Sequence, residues 1–283
     1  MPEGDTILRA ATRLHASLAG RTVTAFRSRL ADLALAARRH RVVGSRIDAV
    51  EARGKHLLVR FSTGDALHTH MGMTGSWHLY RPGSPWRQAE ARARVVLEAG
   101  EVIAVCFVPR VAELVRAAAE AAHPSLSHLG PDVLAPARDS APAVAGLRAR
   151  GEDEIGAALL DQTALSGVGN IWKSEGLFLA GVDPFARVAD LDDATLTRVV
   201  RSAMREMHKS VRAGTEEPEA RHGRSRFWVY RRSGRPCRRC GAVITMERQG
   251  PMRRSTYWCP RCQPPVIAPR PGPGAPSSPG PAR

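Results

Sequence analysis

Two cysteine pairs near the C-terminus constrain the fold of this chain more than any other sequence feature. Cys237-x2-Cys240 and Cys259-x2-Cys262 are separated by 18 residues. Each pair suits a tight turn that points two sulfurs at one tetrahedral ion, so the spacing predicts one structural zinc ion. Disulfides are the alternative, which a reducing compartment disfavours. The segment is too short to fold on hydrophobic burial alone, so it needs the metal.

The positive charge of the chain is concentrated around these cysteines. The formal net charge is +15, and residues 221–262 contain twelve arginines against one acid, Glu247. Such a cluster suits a polyanionic partner, because each cation that neutralises a phosphate releases a condensed counterion. A merely solvated basic face is the alternative.

The N-terminal half shows one helical stretch followed by short apolar runs. Ile7, Ala11, Leu14 and Leu18 have helical spacing, which predicts a short helix that ends before Gly20. Between residues 23 and 107 the apolar runs are short and broken by glycines, which predicts strands of a sandwich or barrel. Within this part we expect Cys106 to be a buried strand thiol.

The pattern changes near Gly130. Helical spacing is found around residues 155–162 and, most clearly, from Leu196 to Val211. The last twenty residues contain eight prolines and three glycines, a composition that cannot form a packed core. We therefore expect a multidomain α+β protein with an N-terminal β-sandwich and a flanking helix (1–128), a helical domain (129–226), a zinc-finger hairpin (227–263) and a disordered tail (264–283).

No run of the sequence approaches the length that a membrane span needs. The first thirty residues lack the basic start and apolar stretch of a secretion signal. We therefore expect a cytoplasmic protein with no membrane partner.

The first residues, Met1-Pro2-Glu3, suggest a nucleophilic chain terminus. Met before proline is normally removed, which leaves Pro2 as a secondary amine. An α-amine titrates at about pH 8, so much of it can be a neutral nucleophile at physiological pH, unlike the side chain of a lysine. Attack of this amine on a sugar C1′ forms an iminium and makes the C2′ proton acidic, with Glu3 as proton donor and acceptor. A processed terminus in which Glu3 only favours the dipole of the following helix is the alternative.

In these first residues and in five later blocks, the sequence resembles the Fpg/Nei family of bifunctional DNA glycosylases. The resemblance spans residues 2–263, in family order. Its blocks are Pro2-Glu3-Gly4, Arg53-Gly54-Lys55-His56-Leu57-Leu58, His70-Met71-Gly72-Met73-Thr74-Gly75, Leu129-Gly130-Pro131-Asp132-Val133-Leu134, Leu165-Ser166-Gly167-Val168-Gly169-Asn170-Ile171-Trp172 and Arg254-Ser255-Thr256-Tyr257-Trp258-Cys259. The resemblance implies a DNA N-glycosylase and AP lyase with a helix-two-turn-helix element. Its partner would be double-stranded DNA with a damaged base or an abasic site, bound by a monomer at the bacterial nucleoid.

The resemblance also implies roles for individual side chains. Lys55 would assist elimination at a phosphate, and Arg254, at the tip of the zinc finger, would hold the phosphate that leaves in δ-elimination. Met73 and Arg110 would keep the duplex open around the flipped nucleotide. Each has a plainer alternative: Lys55 as a surface lysine, Arg254 as one arginine among twelve and Met73 as core.

Further positions concern phosphate binding. Asn170 would donate to a phosphate, and Gly167 and Gly169 would let backbone amides approach one at a helix start, although ordinary interhelical turns have similar glycines. His128 stands where Nei-type relatives carry a phosphate-binding arginine. Asp5-Thr6 replaces the usual Pro-Glu, and Ala112 replaces an aromatic residue.

The substrate class follows only in outline. Gly4 at this position resembles members of the Nei branch. The segment of residues 211–227 is short and polar, which favours oxidised pyrimidines over 8-oxoguanine as substrates. The alternatives are a formamidopyrimidine/8-oxoguanine glycosylase of the same family and a non-catalytic zinc-ribbon binder of nucleic acid.

Overall fold

Two antiparallel four-stranded sheets form the N-terminal half of the protein. The computed structural model describes residues 2–137, 139–214 and 226–265. One sheet has the order β1-β6-β7-β5 and the other β2-β3-β4-β8. The strands are β1 (Ala25–Ser28), β2 (Ile47–Arg53), β3 (His56–Phe61), β4 (Ala66–His70), β5 (Ser76–Tyr80), β6 (Ala93–Ala99), β7 (Val102–Phe107) and β8 (Val111–Val115).

The sandwich encloses an apolar core to which the first helix contributes. Helix α1 (Gly4–Leu18) buries the four apolar residues that predicted it, and it packs on β2 and β3. The core joins these side chains to residues of both sheets, including Phe61 and Leu97. Cys106 is fully buried on β7, and burial raises its thiol pKa, so the prediction of an inert strand thiol is confirmed.

A second helix interrupts the stretch for which only strands were expected. Helix α2 (Ala31–Arg39) is rich in alanine and buries Leu33 and Ala37, one turn apart. Alanine is the strongest helix former, so local propensity wins here over the surrounding strand pattern.

The helical part begins after a connector that leaves β8. Its helices are α3 (Ala117–Glu120) in the connector, α4 (Ala141–Arg148), α5 (Ile155–Ala158), α6 (Asn170–Ala180) and α7 (Asp193–Ala213). Helix α7 confirms the clearest helical period of the sequence, and its buried stripe packs on α6. The helical spacing at residues 155–162 corresponds to only one turn of helix, α5, and an irregular segment then leads to α6.

A small hairpin closes the described chain. Strands β9 (Thr245–Gln249) and β10 (Arg254–Trp258) are antiparallel, and Arg254 pairs with Gln249 next to the turn that joins them. The hairpin packs on α6 through a cluster that contains Phe178, Ile244 and Cys259. The proline-rich tail after Pro265 lies outside the described residues.

None of the helices in the described ranges is long and apolar enough to span a membrane.

Candidate active site and zinc centre

The four predicted zinc ligands lie together beside the hairpin. The Sγ atoms of Cys237 and Cys262 are 3.9 Å apart, and those of Cys240 and Cys259 are 3.5 Å apart. A tetrahedron with zinc–sulfur bonds of about 2.3 Å has sulfur–sulfur separations of about 3.8 Å. The four thiolates therefore fit one structural zinc ion and close its coordination shell. The separations exclude the disulfide alternative, which requires about 2.05 Å.

Glu3 is buried at the N-terminus of α6, with 1% of its surface exposed. Its Oε1 accepts a hydrogen bond from the Ile171 N–H at 2.8 Å. Its Oε2 accepts from the N–H groups of Gly169 at 3.1 Å and Trp172 at 3.3 Å. The side chain next to Pro2 is thereby fixed to the helix that follows the glycine-rich turn.

The glycines of that turn allow this contact. Gly167 has a φ of 100°, and its carbonyl accepts the Gly4 N–H at 2.9 Å. A Cβ on Gly169 would overlap the carboxylate carbon of Glu3. The expectation that the Gly169 amide meets a phosphate is therefore wrong, because the anion at this helix N-terminus is Glu3 itself.

The environment of Glu3 changes its acidity. Burial raises the pKa of the carboxyl to about 7, although Lys55 and the amides of Ile171 and Trp172 lower it. A carboxyl with this pKa is present in both protonation states near neutral pH. It can therefore donate a proton and later accept one.

Lys55 lies in the turn between β2 and β3. Gly54, with a φ of 56°, donates its N–H to Asp132 Oδ2 at 2.8 Å and packs closely on Ser166. Asp132 belongs to the Leu129–Leu134 block, so this block fixes the turn that carries Lys55. The contact also joins the sandwich to the helical part.

Glu3, Lys55 and Arg254 form one electrostatically coupled group. Burial lowers the pKa of Lys55; Glu3 opposes this shift and Arg254 reinforces it. Arg254 is the first residue of β10 and is half-buried. The structure therefore places three of the four predicted catalytic residues close enough to interact electrostatically through Lys55. Pro2, the fourth, lies next to Glu3 and lines a cavity of about 760 Å³.

Lys173 joins this group although the sequence did not point to it. It is fully buried on α6, and its Nζ donates to Thr256 Oγ1 at 2.7 Å and to the Ser255 carbonyl at 3.3 Å. Burial lowers its pKa to about 7, with Glu3 opposing and Arg254 reinforcing the shift. Lys173 thus fastens β10 to α6 next to Arg254.

Asp5 is buried and supplies a carboxylate, although relatives were expected to carry Pro-Glu in place of Asp5-Thr6. It accepts hydrogen bonds from Trp172 Nε1 at 3.0 Å and from Ser210 Oγ at 2.5 Å. Arg9 Nη1 donates to the Ser210 carbonyl at 2.9 Å. Asp5 and Arg9 therefore attach α1 to α6 and α7.

Met73 lines the cavity, and Arg110 lies next to the loop that holds Met73. Met73 is 69% exposed, so its alternative as a core residue is wrong. Arg110 is exposed, its N–H donates to the His70 carbonyl at 2.8 Å, and its Cβ packs against Gly72 in the loop that holds Met73. An apolar side chain and a cation thus project from adjacent backbone.

The two predicted phosphate-binding side chains differ in exposure. Asn170 opens α6 and is buried, and its Oδ1 has no hydrogen-bond partner within the described part of the chain. His128 is exposed at the end of the connector.

The sequence did not predict roles for the half-buried Asp132 or for the buried Lys173 and Glu175 of α6. Glu175 accepts hydrogen bonds from three successive backbone amides, at residues 228–230, where the chain enters the zinc segment. The available signal was the presence of two charges inside the otherwise apolar helix that starts at Asn170. Charged residues are almost never fully buried unless they are paired.

Three family models match successive parts of the chain. They are the formamidopyrimidine-DNA glycosylase N-terminal domain over residues 1–109, the formamidopyrimidine-DNA glycosylase H2TH domain over residues 129–220, and the zinc finger found in FPG and IleRS over residues 234–265. Their order is that of the sandwich, the helical part and the hairpin.

Named relatives match over nearly the whole length. The chain is 40% identical to "Probable endonuclease 8 2" of Streptomyces coelicolor, with 96% of this chain and 97% of the relative covered. It is 36% identical to "DNA-(apurinic or apyrimidinic site) lyase Nei2" of Mycolicibacterium smegmatis, with coverages of 93% and 99%.

Solved structures share the fold at lower identity. The Lactococcus lactis formamidopyrimidine-DNA glycosylase, bound non-covalently to DNA containing an AP site, has a TM-score of 0.79 and 21% identity, with 93% of this chain and 100% of that chain covered. The fold, the zinc ligands and the full-length relatives all indicate the same family. The chain belongs to the Fpg/Nei family of DNA glycosylases and AP lyases, in its Nei (endonuclease VIII) branch.

Proposed function

We propose that the protein binds duplex DNA and removes oxidised pyrimidines through a Schiff base on Pro2, then nicks the strand by β,δ-elimination. The observation that carries this proposal is the position of Pro2. It lines a cavity next to a buried carboxyl whose pKa is about 7, and Lys55 interacts electrostatically both with that carboxyl and with Arg254.

The chemistry assigns a task to each group. The Pro2 nitrogen bonds to C1′ as the N-glycosidic bond breaks, and the base leaves with the bonding electrons and takes up a proton. The C1′–O4′ bond then opens to an iminium, and Glu3 gives its proton to O4′. Loss of a C2′ proton expels the 3′ phosphate, and a second elimination expels the 5′ phosphate, with Lys55 and Arg254 next to the leaving groups.

The cavity offers polar groups for a base. Thr6, Arg13 and Gln88 line it together with Pro2 and Met73. Gln88 Nε2 donates to Ser76 Oγ at 3.2 Å, whereas the buried Gln88 Oε1 has no partner among the described residues. This oxygen is available to accept an N–H of a flipped base. Residues 215–225, which belong to the segment predicted to leave the pocket open, lie outside the described residues.

Single-turnover excision rates test the lesion class. Met1-free protein, verified by mass, is compared on duplexes that carry thymine glycol, dihydrouracil or 8-oxoguanine opposite cytosine. We expect both pyrimidine lesions to be removed first, because their non-planar rings stack poorly and are cheaper to extrude. Faster removal of 8-oxoguanine would assign the protein the purine activity of the family, and binding without any excision would favour a non-catalytic binder.

A further inference from the structure

A chain of histidines crosses the second sheet. His68 on β4 is fully buried, and its Nδ1 lies 2.9 Å from Glu113 Oε1 on β8. His123, in the connector after α3, places its Nε2 3.2 Å from the same oxygen. Two imidazoles from separate elements therefore converge on one carboxylate oxygen.

We propose that His68, Glu113 and His123 form a binding site for a divalent transition-metal ion, separate from the four-cysteine zinc. Their ligand atoms all lie within 4.8 Å of one another. Metal–nitrogen and metal–oxygen bonds of about 2.0–2.2 Å in a tetrahedron separate the ligands by about 3.3 Å. The two imidazole nitrogens lie 2.9 and 3.2 Å from Glu113 Oε1, close to this separation. Two imidazoles and one carboxylate suit Zn²⁺ or Co²⁺ and leave a fourth position for water.

A third histidine orients the buried ligand from behind. The Nε2 atom of His68 lies 2.8 Å from His56 Nδ1 on β3. Histidines that bind metals usually donate their other ring N–H to such a partner. Both rings are buried, which disfavours their charged imidazolium forms.

Metal binding requires only local changes of protonation. Without an ion, His68 Nδ1–H and His123 Nε2–H donate to the Glu113 carboxylate. With an ion, the His68 proton moves to Nε2 and donates to His56, whose own proton moves to its Nε2. The His123 proton moves to Nδ1, which ends the 3.2 Å hydrogen bond from the Ser125 N–H. Ser125 is exposed, so its N–H turns to water.

The position of the site suggests what the ion does. His123 belongs to the connector between the sandwich and the helical part, and Glu120 and Leu126 already hold that connector on the sheet. Glu120 pairs with Arg53 at 3.0 Å and with Arg60 at 2.7 Å, and Leu126 is fully buried. A bound ion would replace the hydrogen bond between His123 and Glu113 with metal–ligand bonds and so strengthen a third attachment of the connector to the sheet.

Metal stoichiometry of the full-length protein tests the proposal. Protein that has been brought to one zinc ion per chain is dialysed against buffered Co²⁺, and both metals are measured per chain. We expect one zinc and one cobalt, with a cobalt spectrum that lacks thiolate charge transfer, and a higher melting temperature with cobalt. His123→Ala and Glu113→Gln should keep the zinc and raise the apparent Kd for cobalt by more than about tenfold.

His40→Ala is the matched control. His40 and Asp65 form another histidine–carboxylate pair in the same sandwich, with 3.0 Å between Nδ1 and Oδ2, and neither belongs to the cluster. This variant should bind cobalt as the wild type does. The proposal is overturned if the wild type binds no cobalt beyond its zinc, if both ligand variants retain it, or if His40→Ala loses it equally.

Discussion

At the scale of single residues, the chemistry of this site depends on burying charge next to charge. Glu3 accepts three backbone hydrogen bonds and is still held at a pKa of about 7, because burial outweighs them. Pro2, Glu3, Lys55 and Arg254 were all predicted from the sequence, since each lies in a short recognisable block. Lys173 and Asp132 were not, because their partners are more than seventy residues away in the chain.

Glu3→Gln should separate the two activities. We expect base excision to fall by about 100-fold or more, because the proton donor is lost. Cleavage of a preformed abasic site should fall less, since the ring-opened sugar already offers an aldehyde. Single-turnover rates on both substrates measure this, with Glu98→Gln on the first sheet as the control. An equal loss of both activities would contradict the assigned role.

The pH dependence follows from the direction of the Glu3 shift. The pKa is raised from 4.5 to about 7, so the folded protein holds this proton more tightly than the unfolded chain does. The stabilisation by Glu3 is therefore complete below about pH 4.5 and is lost as the pH rises through about 7. Excision by the wild type should decline above about pH 7, and this decline should be missing from the residual activity of Glu3→Gln.

Arg254→Ala should change the products of strand cleavage. Without this guanidinium we expect the β-elimination product to accumulate at the expense of the δ-elimination product. The slope of log K against log salt should shrink by about 1, because one phosphate contact is lost. Gel analysis of the products measures the first effect. Arg253→Ala removes the same charge from the exposed neighbour and should leave the product ratio unchanged.

At the scale of elements, the turn before α6 links the chain terminus to the helical part. The sequence pattern predicted helices α1 and α7 well, because amphipathic period and burial agree there. It did not predict α2, which forms because its alanines strongly favour a helix. It also did not predict that Glu3 is the partner of the Gly167–Gly169 turn. That partner comes from the other end of the chain, so the turn looked like a phosphate site.

Gly169→Ala should displace Glu3 while leaving the fold intact. The added Cβ would overlap the Glu3 carboxylate, so we expect base excision to fall as it does in Glu3→Gln. Gly151→Ala is the control in the same part of the protein, where a Cβ meets only ordinary contacts at 3.8 Å. Wild-type excision by Gly169→Ala would show that the carboxylate position does not matter.

At the scale of the whole molecule, the proposed active site lies where the sandwich, the helical part and the hairpin meet. Glu3 comes from the start of the chain, Lys55 from the sandwich, Lys173 from α6 and Arg254 from the hairpin. The family resemblance predicted the overall architecture, but the buried polar contacts that join the parts are tertiary. Neither periodicity nor spacing within one element reports them.

Asp5→Ala should weaken the attachment of α1 to the helical part. It leaves Trp172 Nε1 and Ser210 Oγ without their buried acceptor, which costs about 1–3 kcal/mol for each unpaired group. Urea unfolding measures the loss of stability. Asp48→Ala removes the exposed ion pair with Arg46 and should change the free energy of unfolding by at most about 1 kcal/mol. Equal effects of the two variants would contradict the role of Asp5.

Borohydride trapping tests the central claim, that Pro2 is the nucleophile. Met1-free protein is incubated with duplex DNA that contains an abasic site, reduced, digested and analysed by mass spectrometry. The account predicts a covalent adduct whose cross-linked peptide begins at Pro2 and carries the sugar on its nitrogen. Active, DNA-binding protein that forms no adduct, or an adduct located on Lys55, would contradict it.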